Sequence, residues 1–164
     1  MRMGASKSLP AVCFLLIVGG LAMSQTELVG LLTREDLLEK LPEWKPYIQA
    51  YSPDLETVRL LQNVHEEVTV EIFLGTWCPD CRQHVSAYLK LMDMVRNPLI
   101  RTTFTGIPRK REMREEYTAG RNIERVPTFI VRFRSREIGR LIETPKVSVE
   151  ADLWAILAPE LSGR

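Results

Sequence analysis

Two cysteines separated by two residues, Cys78 and Cys81, are the side chains in this sequence best suited to chemistry. They stand between a β-branched, apolar segment at residues 68–74 and a segment of helical periodicity at residues 79–96. This order predicts a buried strand followed directly by a helix, with Cys78 at the helix N-terminus. The unpaired backbone N–H groups and the helix dipole there favour a thiolate over a thiol. Cys81, one turn later, could attack a mixed disulfide formed at Cys78.

The third cysteine, Cys13, lies in a segment typical of a secretory signal. Residues 1–24 combine a basic start, an apolar run at residues 9–22 and a small-x-small cleavage site that ends at Ser24. The apolar run is shorter than the roughly 20 residues that a membrane-crossing helix needs. We therefore predict an exported, periplasmic or extracytoplasmic protein, with anchoring as the alternative if the signal is not cleaved.

Composition excludes other classes of function. The chain has 164 residues, with 22 basic and 21 acidic side chains, and this balance argues against nucleic acid as a partner.

A disulfide between Cys78 and Cys81 would close a very small loop and add little stability, so the pair is expected to serve chemistry. Arg82 occupies the position where a c-type haem site needs histidine. Neither a cofactor nor a metal is expected, and no obligate oligomer is predicted.

The remaining segments predict an α/β chain with helices first and then the order β-α-β-α-β-β-α. Residues 25–54 are predicted to be an N-terminal helical extension, in which a helix begins after the N-cap Thr33 and ends near Pro42. Residues 55–164 are predicted to form one domain around a mixed sheet. Besides the strand and helix at the cysteines, it should contain strands at 99–105, 128–134 and 137–143, and helices after residues 54, 109 and 148.

The W-C-x-x-C motif after a strand resembles the thioredoxin superfamily, as does Val126-Pro127, which stands 45 residues after Cys81 at the start of a strand pair. The segments around both motifs resemble the exported TlpA-like and thioredoxin-like proteins. The resemblance implies a thioredoxin fold in which the Val126–Pro127 bond is cis and faces the cysteines. It further implies that the backbone of Val126 pairs with an extended substrate and that Trp77 shapes the surface beside the nucleophile.

Glu71 is unusual because it stands in an otherwise apolar strand. Thioredoxin itself carries a buried aspartate six residues before the nucleophile, where this chain has Ile72. Glu71 could be turned toward Cys81 as an acid or base, or it could form an ion pair with an arginine at the edge of the strand.

Two residues of the motif helix could tune the cysteines. Asp80, between them, is expected to keep the pKa of Cys78 higher than a histidine in its place would. His84, one turn after Cys81, could accept its proton or could be a solvated helix residue.

These features predict an exported thiol-disulfide oxidoreductase that reduces protein disulfides through Cys78 and Cys81. The implied partners are a disulfide-containing client protein and a membrane or periplasmic thiol electron donor. The alternatives are a disulfide oxidase or isomerase, and a Cu(I)-binding or chaperone-like module on the same fold. The basic run Arg109-Lys110-Arg111 carries no role that the sequence defines.

Overall fold

The computed structural model describes residues 27–118 and 120–162, so the segment predicted to be a signal peptide lies outside the described residues. The strands are β1 (Gly30–Leu32), β2 (Val68–Leu74), β3 (Ile100–Gly106), β4 (Thr128–Phe133) and β5 (Arg136–Ile142). The helices are α1 (Arg34–Lys40), α2 (Lys45–Ala50), α3 (Leu55–Gln62), α4 (Pro79–Val95), α5 (Glu115–Thr118) and α6 (Val149–Ser162). Short 3-10 helices span Pro42–Trp44 and Arg111–Met113. No helix in the described part of the chain is long and apolar enough to cross a membrane.

The strands form one mixed sheet in the order β1-β3-β2-β4-β5. The central strand, β2, pairs in parallel with β3 and antiparallel with β4. The predicted α/β fold with a central mixed sheet is therefore confirmed. In β2, Val68, Val70, Ile72 and Leu74 are at most 1% exposed, as the apolar composition of this strand predicts. The cysteine motif follows the end of this buried strand.

Helix α4 is fixed against the sheet by its apolar and aromatic side chains. The rings of Tyr88 and Phe129 have centroids 5.7 Å apart, which joins α4 to β4. The Tyr88 hydroxyl and Thr102 Oγ1 are 2.7 Å apart and join α4 to β3. Val85 and Leu89 are also buried on this helix. Since α4 is held at several points, its N-terminus has a defined position relative to the sheet.

The N-terminal extension contains a strand as well as helices, which the sequence analysis did not predict. Helix α1 begins as expected, because Thr33 Oγ1 accepts a hydrogen bond from the Asp36 backbone at 3.0 Å and Asp36 accepts one from the Thr33 backbone at 2.8 Å. The additional strand, β1, has three residues, too few to show periodicity, and it is defined by antiparallel pairing with β3. A Cβ at Gly106 would lie 2.2 Å from the Leu28 carbonyl oxygen, so this approach requires glycine.

The extension also contributes to the hydrophobic core. Leu37, Leu41 and Trp44 are at most 2% exposed and belong to the same buried cluster as β2 and α4. Beyond α2, the Tyr51 hydroxyl donates to the buried Glu150 carboxylate at 2.6 Å, which attaches this segment to α6. Helix α2 itself was not predicted, because it is short and buries no side chain fully.

Two boundaries in the second half of the chain differ from the prediction. The turn between β4 and β5 is formed by Arg134 and Ser135, which have φ of 50° and 68°, and not by Ser135 and Arg136. Such positive φ values suit the tight turn of a hairpin. The helix predicted at residues 110–119 is divided into a 3-10 turn and α5. This segment is highly charged, and among its described residues only Tyr117 and Thr118 pack inward, which is too little burial to stabilise a longer helix.

Candidate active site

Cys78 and Cys81 lie where β2 passes into α4. Cys78 is the N-cap of α4, and its Sγ accepts a hydrogen bond from the Cys81 backbone N–H at 3.4 Å. Both residues are free thiols, with Cys78 7% exposed and Cys81 completely buried. The backbone N–H of Gly75 donates to Cys81 Sγ at 3.3 Å. Cys78 is thus the less deeply buried of the two cysteines.

The two thiols have pKa values shifted in opposite directions. The pKa of Cys78 is lowered from 9.0 to about 6, chiefly by a hydrogen bond from the Cys81 thiol and further by the backbone N–H groups of Cys81 and Asp80. Burial and the negative charge of Asp80 oppose this shift. Burial, followed by the hydrogen bond and charge of Cys78, raises the pKa of Cys81 well above its usual range. At neutral pH Cys78 is therefore mainly a thiolate and Cys81 a thiol.

The rate of alkylation of the reduced protein by iodoacetamide should follow the titration of Cys78. A pKa of about 6 leaves about ten thiolates for each thiol at pH 7, so the rate should rise through pH 6 and level off above pH 7. Peptide mapping of the modified protein should find the label on Cys78. A midpoint near 9.0, the value from which the pKa of Cys78 is lowered, would contradict the assignment.

The same titration tests the effect of Asp80. Because its charge raises the pKa of Cys78, Asp80→Asn should move the alkylation midpoint to lower pH. Glu39→Gln removes the same charge from an exposed position on α1 and should leave the midpoint in place. Equal shifts in both variants would show an effect of net charge and not of Asp80.

The loop before β4 lies against the nucleophile. The Val126–Pro127 peptide bond is cis, which confirms the expectation from the resemblance. Cys78 Sγ lies 3.4 Å from the Val126 carbonyl oxygen, to which it donates when it is protonated. A backbone hydrogen bond also joins this loop to the residue after β5: the Glu143 N–H donates to the Pro127 carbonyl oxygen at 2.8 Å. Val126 and Pro127 are thus brought to the cysteine pair although they are distant in sequence.

Trp77 borders the nucleophile and is held in place. Its Nε1 donates to the Ile107 carbonyl oxygen at 3.1 Å. The ring lies so close to the backbone of Gly75 that a Cβ there would be 2.5 Å from Trp77 Cε2. Trp77 and Cys78 line a cavity of about 190 Å³, together with Thr76, Pro79 and Arg82. This cavity is the opening through which a substrate sulfur could reach Cys78.

Glu71 forms ion pairs, which is one of the two alternatives considered for it. Arg132 Nε donates to one carboxylate oxygen at 2.8 Å, and Arg121 Nε donates to the other at 3.2 Å. Both oxygens are therefore engaged by arginines. Ile72, at the position of the family's aspartate, is buried and offers no titratable group.

Asp80 and His84 occupy different surroundings. Asp80 is exposed in the first turn of α4, where its charge acts on Cys78 as expected. His84 lines a separate cavity of about 300 Å³, together with Tyr51 and with residues 144, 145 and 147–149. Burial lowers the pKa of His84, so the imidazole is neutral at pH 7. Within the described residues, no three potential metal-ligating side chains of Cys, His, Asp or Glu come together.

Three arginines near the site were not identified from the sequence. The guanidinium carbons of Arg109 and Arg114 are each 5.3 Å from the centroid of the Trp77 ring. Arg82 lines the cavity at Cys78. The basic run at residues 109–111 drew attention to Arg109. Because this run is far from Trp77 in sequence, the contact between Arg109 and the Trp77 ring could not be predicted.

Comparison with solved structures finds proteins of similar fold. A solved HIV epitope-scaffold has a TM-score of 0.56 and 15% identity, covering 72% of this chain and 82% of that chain. A protein of unknown function from Pseudomonas aeruginosa has a TM-score of 0.54 and 16% identity, covering 80% and 82%. At these identities the likeness shows the fold alone. Thioredoxin-2 of the malaria parasite, described as a component of its protein secretion machinery, has a TM-score of 0.45 and 21% identity, covering 59% and 86%.

A search of curated proteins finds no match. The thioredoxin family model, by contrast, matches residues 33–153, which includes the redox pair, the cis-proline loop and most of the extension. Since this match covers well over half of the sequence, the protein belongs to the thioredoxin family.

Proposed function

We propose that this protein is an exported thiol-disulfide oxidoreductase that reduces disulfides in client proteins. The observation that carries the proposal is the arrangement of the two thiols: Cys78 is the N-cap of α4 and has a lowered pKa, whereas Cys81 is completely buried and has a raised pKa. At neutral pH the Cys78 sulfur is a thiolate that can attack a disulfide, whereas the Cys81 sulfur remains a thiol until the second step. Family membership supports a redox function of this kind.

The reaction proceeds in two exchanges. The Cys78 thiolate attacks a substrate disulfide, forms a mixed disulfide and displaces the first substrate thiolate. Cys78 then no longer carries a charge, so two of the causes that raise the pKa of Cys81 disappear. The Gly75 N–H continues to favour the Cys81 thiolate. Cys81 loses its proton to the substrate thiolate displaced in the first exchange and then attacks Cys78 Sγ, which releases the second substrate thiolate. The protein is left oxidised by two electrons and is restored by a thiol donor.

The proposed direction rests on the pKa of Cys78. Strongly oxidising members of this fold hold the nucleophile at about 3.5, whereas thioredoxin itself has a value of about 7. The value of about 6 in this protein is closer to the reducing case, and Asp80 contributes by disfavouring the thiolate. A less stabilised dithiol gives a more stable disulfide and therefore a lower reduction potential.

Equilibration with glutathione tests this direction. We expect the Cys78/Cys81 couple to have a potential of roughly −200 mV or lower, and Asp80→His to raise it by about 30 mV for each unit of decrease in the Cys78 pKa. The Glu39→Gln variant should match the wild type. A wild-type potential near −120 mV, typical of a strong oxidant, would contradict the reductase assignment. Retention of stoichiometric Cu(I) without reduction of insulin would favour a metal-binding role instead.

A further inference from the structure

Two guanidinium groups lie over the indole ring that borders the nucleophile. Arg109 and Arg114 each place Cζ 5.3 Å from the centroid of the Trp77 ring. Arg114 is also anchored, because its Nε donates to the Pro108 carbonyl oxygen and its Nη2 to that of Arg109, both at 2.9 Å. Trp77 is in turn fixed by its bond to Ile107. These positive charges are therefore held at a defined place beside the cavity.

A third arginine lies on the cavity itself. Arg82 lines it together with Cys78, and its Cζ lies 4.9 Å from the centroid of the Tyr47 ring. Its Nε is buried and has no hydrogen-bond partner among the described residues. We call Arg82, Arg109 and Arg114 the arginine rim.

The guanidinium groups of the arginine rim are not neutralised by ion pairs. Within residues 27–118 and 120–162, none of the three forms an ion pair with a carboxylate. Eight other arginines do: Arg34, Arg101, Arg121, Arg125, Arg132, Arg134, Arg136 and Arg140. Two exposed acids lie at the rim: Asp80, and Glu27, whose carboxylate accepts a hydrogen bond from the Arg109 backbone N–H. The three guanidinium groups therefore exceed these two carboxylates by one positive charge.

We propose that the arginine rim selects acidic polypeptides, by binding carboxylates that flank the disulfide to be reduced. The inference rests on the proposed function, because it names the substrate class of the same site. Positive side chains around a reaction centre steer and orient partners of opposite charge. The cavity of about 190 Å³ is smaller than the roughly 300 Å³ or more typical of small-molecule pockets, which favours a polypeptide lying across the surface.

The test uses two disulfide-containing peptides that differ only in Glu or Gln beside the cysteines. The reduced protein is mixed with excess peptide, and the second-order rate of the exchange is measured. The Cys78 thiolate and the Cys81 thiol become the Cys78–Cys81 disulfide. The peptide disulfide takes up two electrons, one proton from Cys81 and one from water, and is released as two thiols. We expect the acidic peptide to react about tenfold faster at low salt and the preference to fall as salt is added.

Charge variants assign the preference to the rim. Arg109→Glu should abolish the preference for the acidic peptide, whereas Arg109→Lys should retain most of it. Arg59→Glu makes the same charge change at an exposed position on α3 and should retain the wild-type ratio. An equal loss in the Arg109→Glu and Arg59→Glu variants would attribute the preference to net charge and overturn the inference.

The rates of the wild-type protein with the two peptides test the acidic preference and the reductase function separately. Equal rates for the two peptides would overturn the inference and leave the reductase function standing. Reduction of neither peptide would overturn both. Glutathione disulfide is a third substrate in the same assay, since it also carries carboxylates. If the rim-dependent preference appeared with glutathione disulfide and not with the acidic peptide, the assignment to polypeptides would be wrong.

Discussion

The Cys81→Ser variant should accumulate mixed disulfides with client proteins and lose all catalytic turnover. Cys78 keeps its position at the N-terminus of α4 and remains able to attack, but no second thiol is present to release the client. The Cys78→Ser variant should trap nothing, because the remaining Cys81 is completely buried and has a raised pKa. Non-reducing electrophoresis followed by identification of the captured cysteine measures both outcomes.

The order of attack is tested by comparing the variants in one background. All of them carry Cys13→Ser, so that any trapped species comes from the motif, and the variant lacking both motif cysteines defines the baseline. The assignment would be wrong if the two single variants trapped partners to the same extent. It would also be wrong if iodoacetamide labelled Cys81 first in the reduced wild-type protein.

Trp44→Ala should destabilise the protein by about 3–5 kcal/mol, as expected for removing a large aromatic side chain from a core. Trp44 is 1% exposed and lies in the extension, within the same buried cluster as the central strand and α4. The free energy of unfolding is measured for the full chain by urea denaturation, followed by circular dichroism. A loss of this size would show that the extension is part of the cooperative unit that carries the redox pair.

Leu31→Ala provides the matched control for this measurement. Leu31 also belongs to the extension, but its side chain is 83% exposed, so its truncation should change the free energy of unfolding by less than about 0.5 kcal/mol. If Trp44→Ala changed stability as little as Leu31→Ala, the extension would be an appendage that folds independently of the core.

The placement of the nucleophile could be predicted from the sequence because it depends on local signals. A buried strand that passes directly into a helix sets Cys78 at the helix N-terminus, and the backbone N–H groups found there are a property of every such junction. The caps at Thr33 and Asp54 likewise act over three residues. The cis bond at Pro127 was expected from the resemblance, through the spacing of two motifs.

The tertiary structure alone decided which side chains surround this nucleophile. Glu71 meets Arg121 across 50 positions of sequence, and Trp77 meets Arg109 through a loop that follows another strand. Strand β1 is too short to be recognised without β3 beside it. Such contacts depend on which strands are neighbours and on how loops cross them, and hydrophobic periodicity carries no information about either. The chemistry of Cys78 and Cys81 therefore follows from the local sequence. The position of the arginines around Cys78 depends on the tertiary structure.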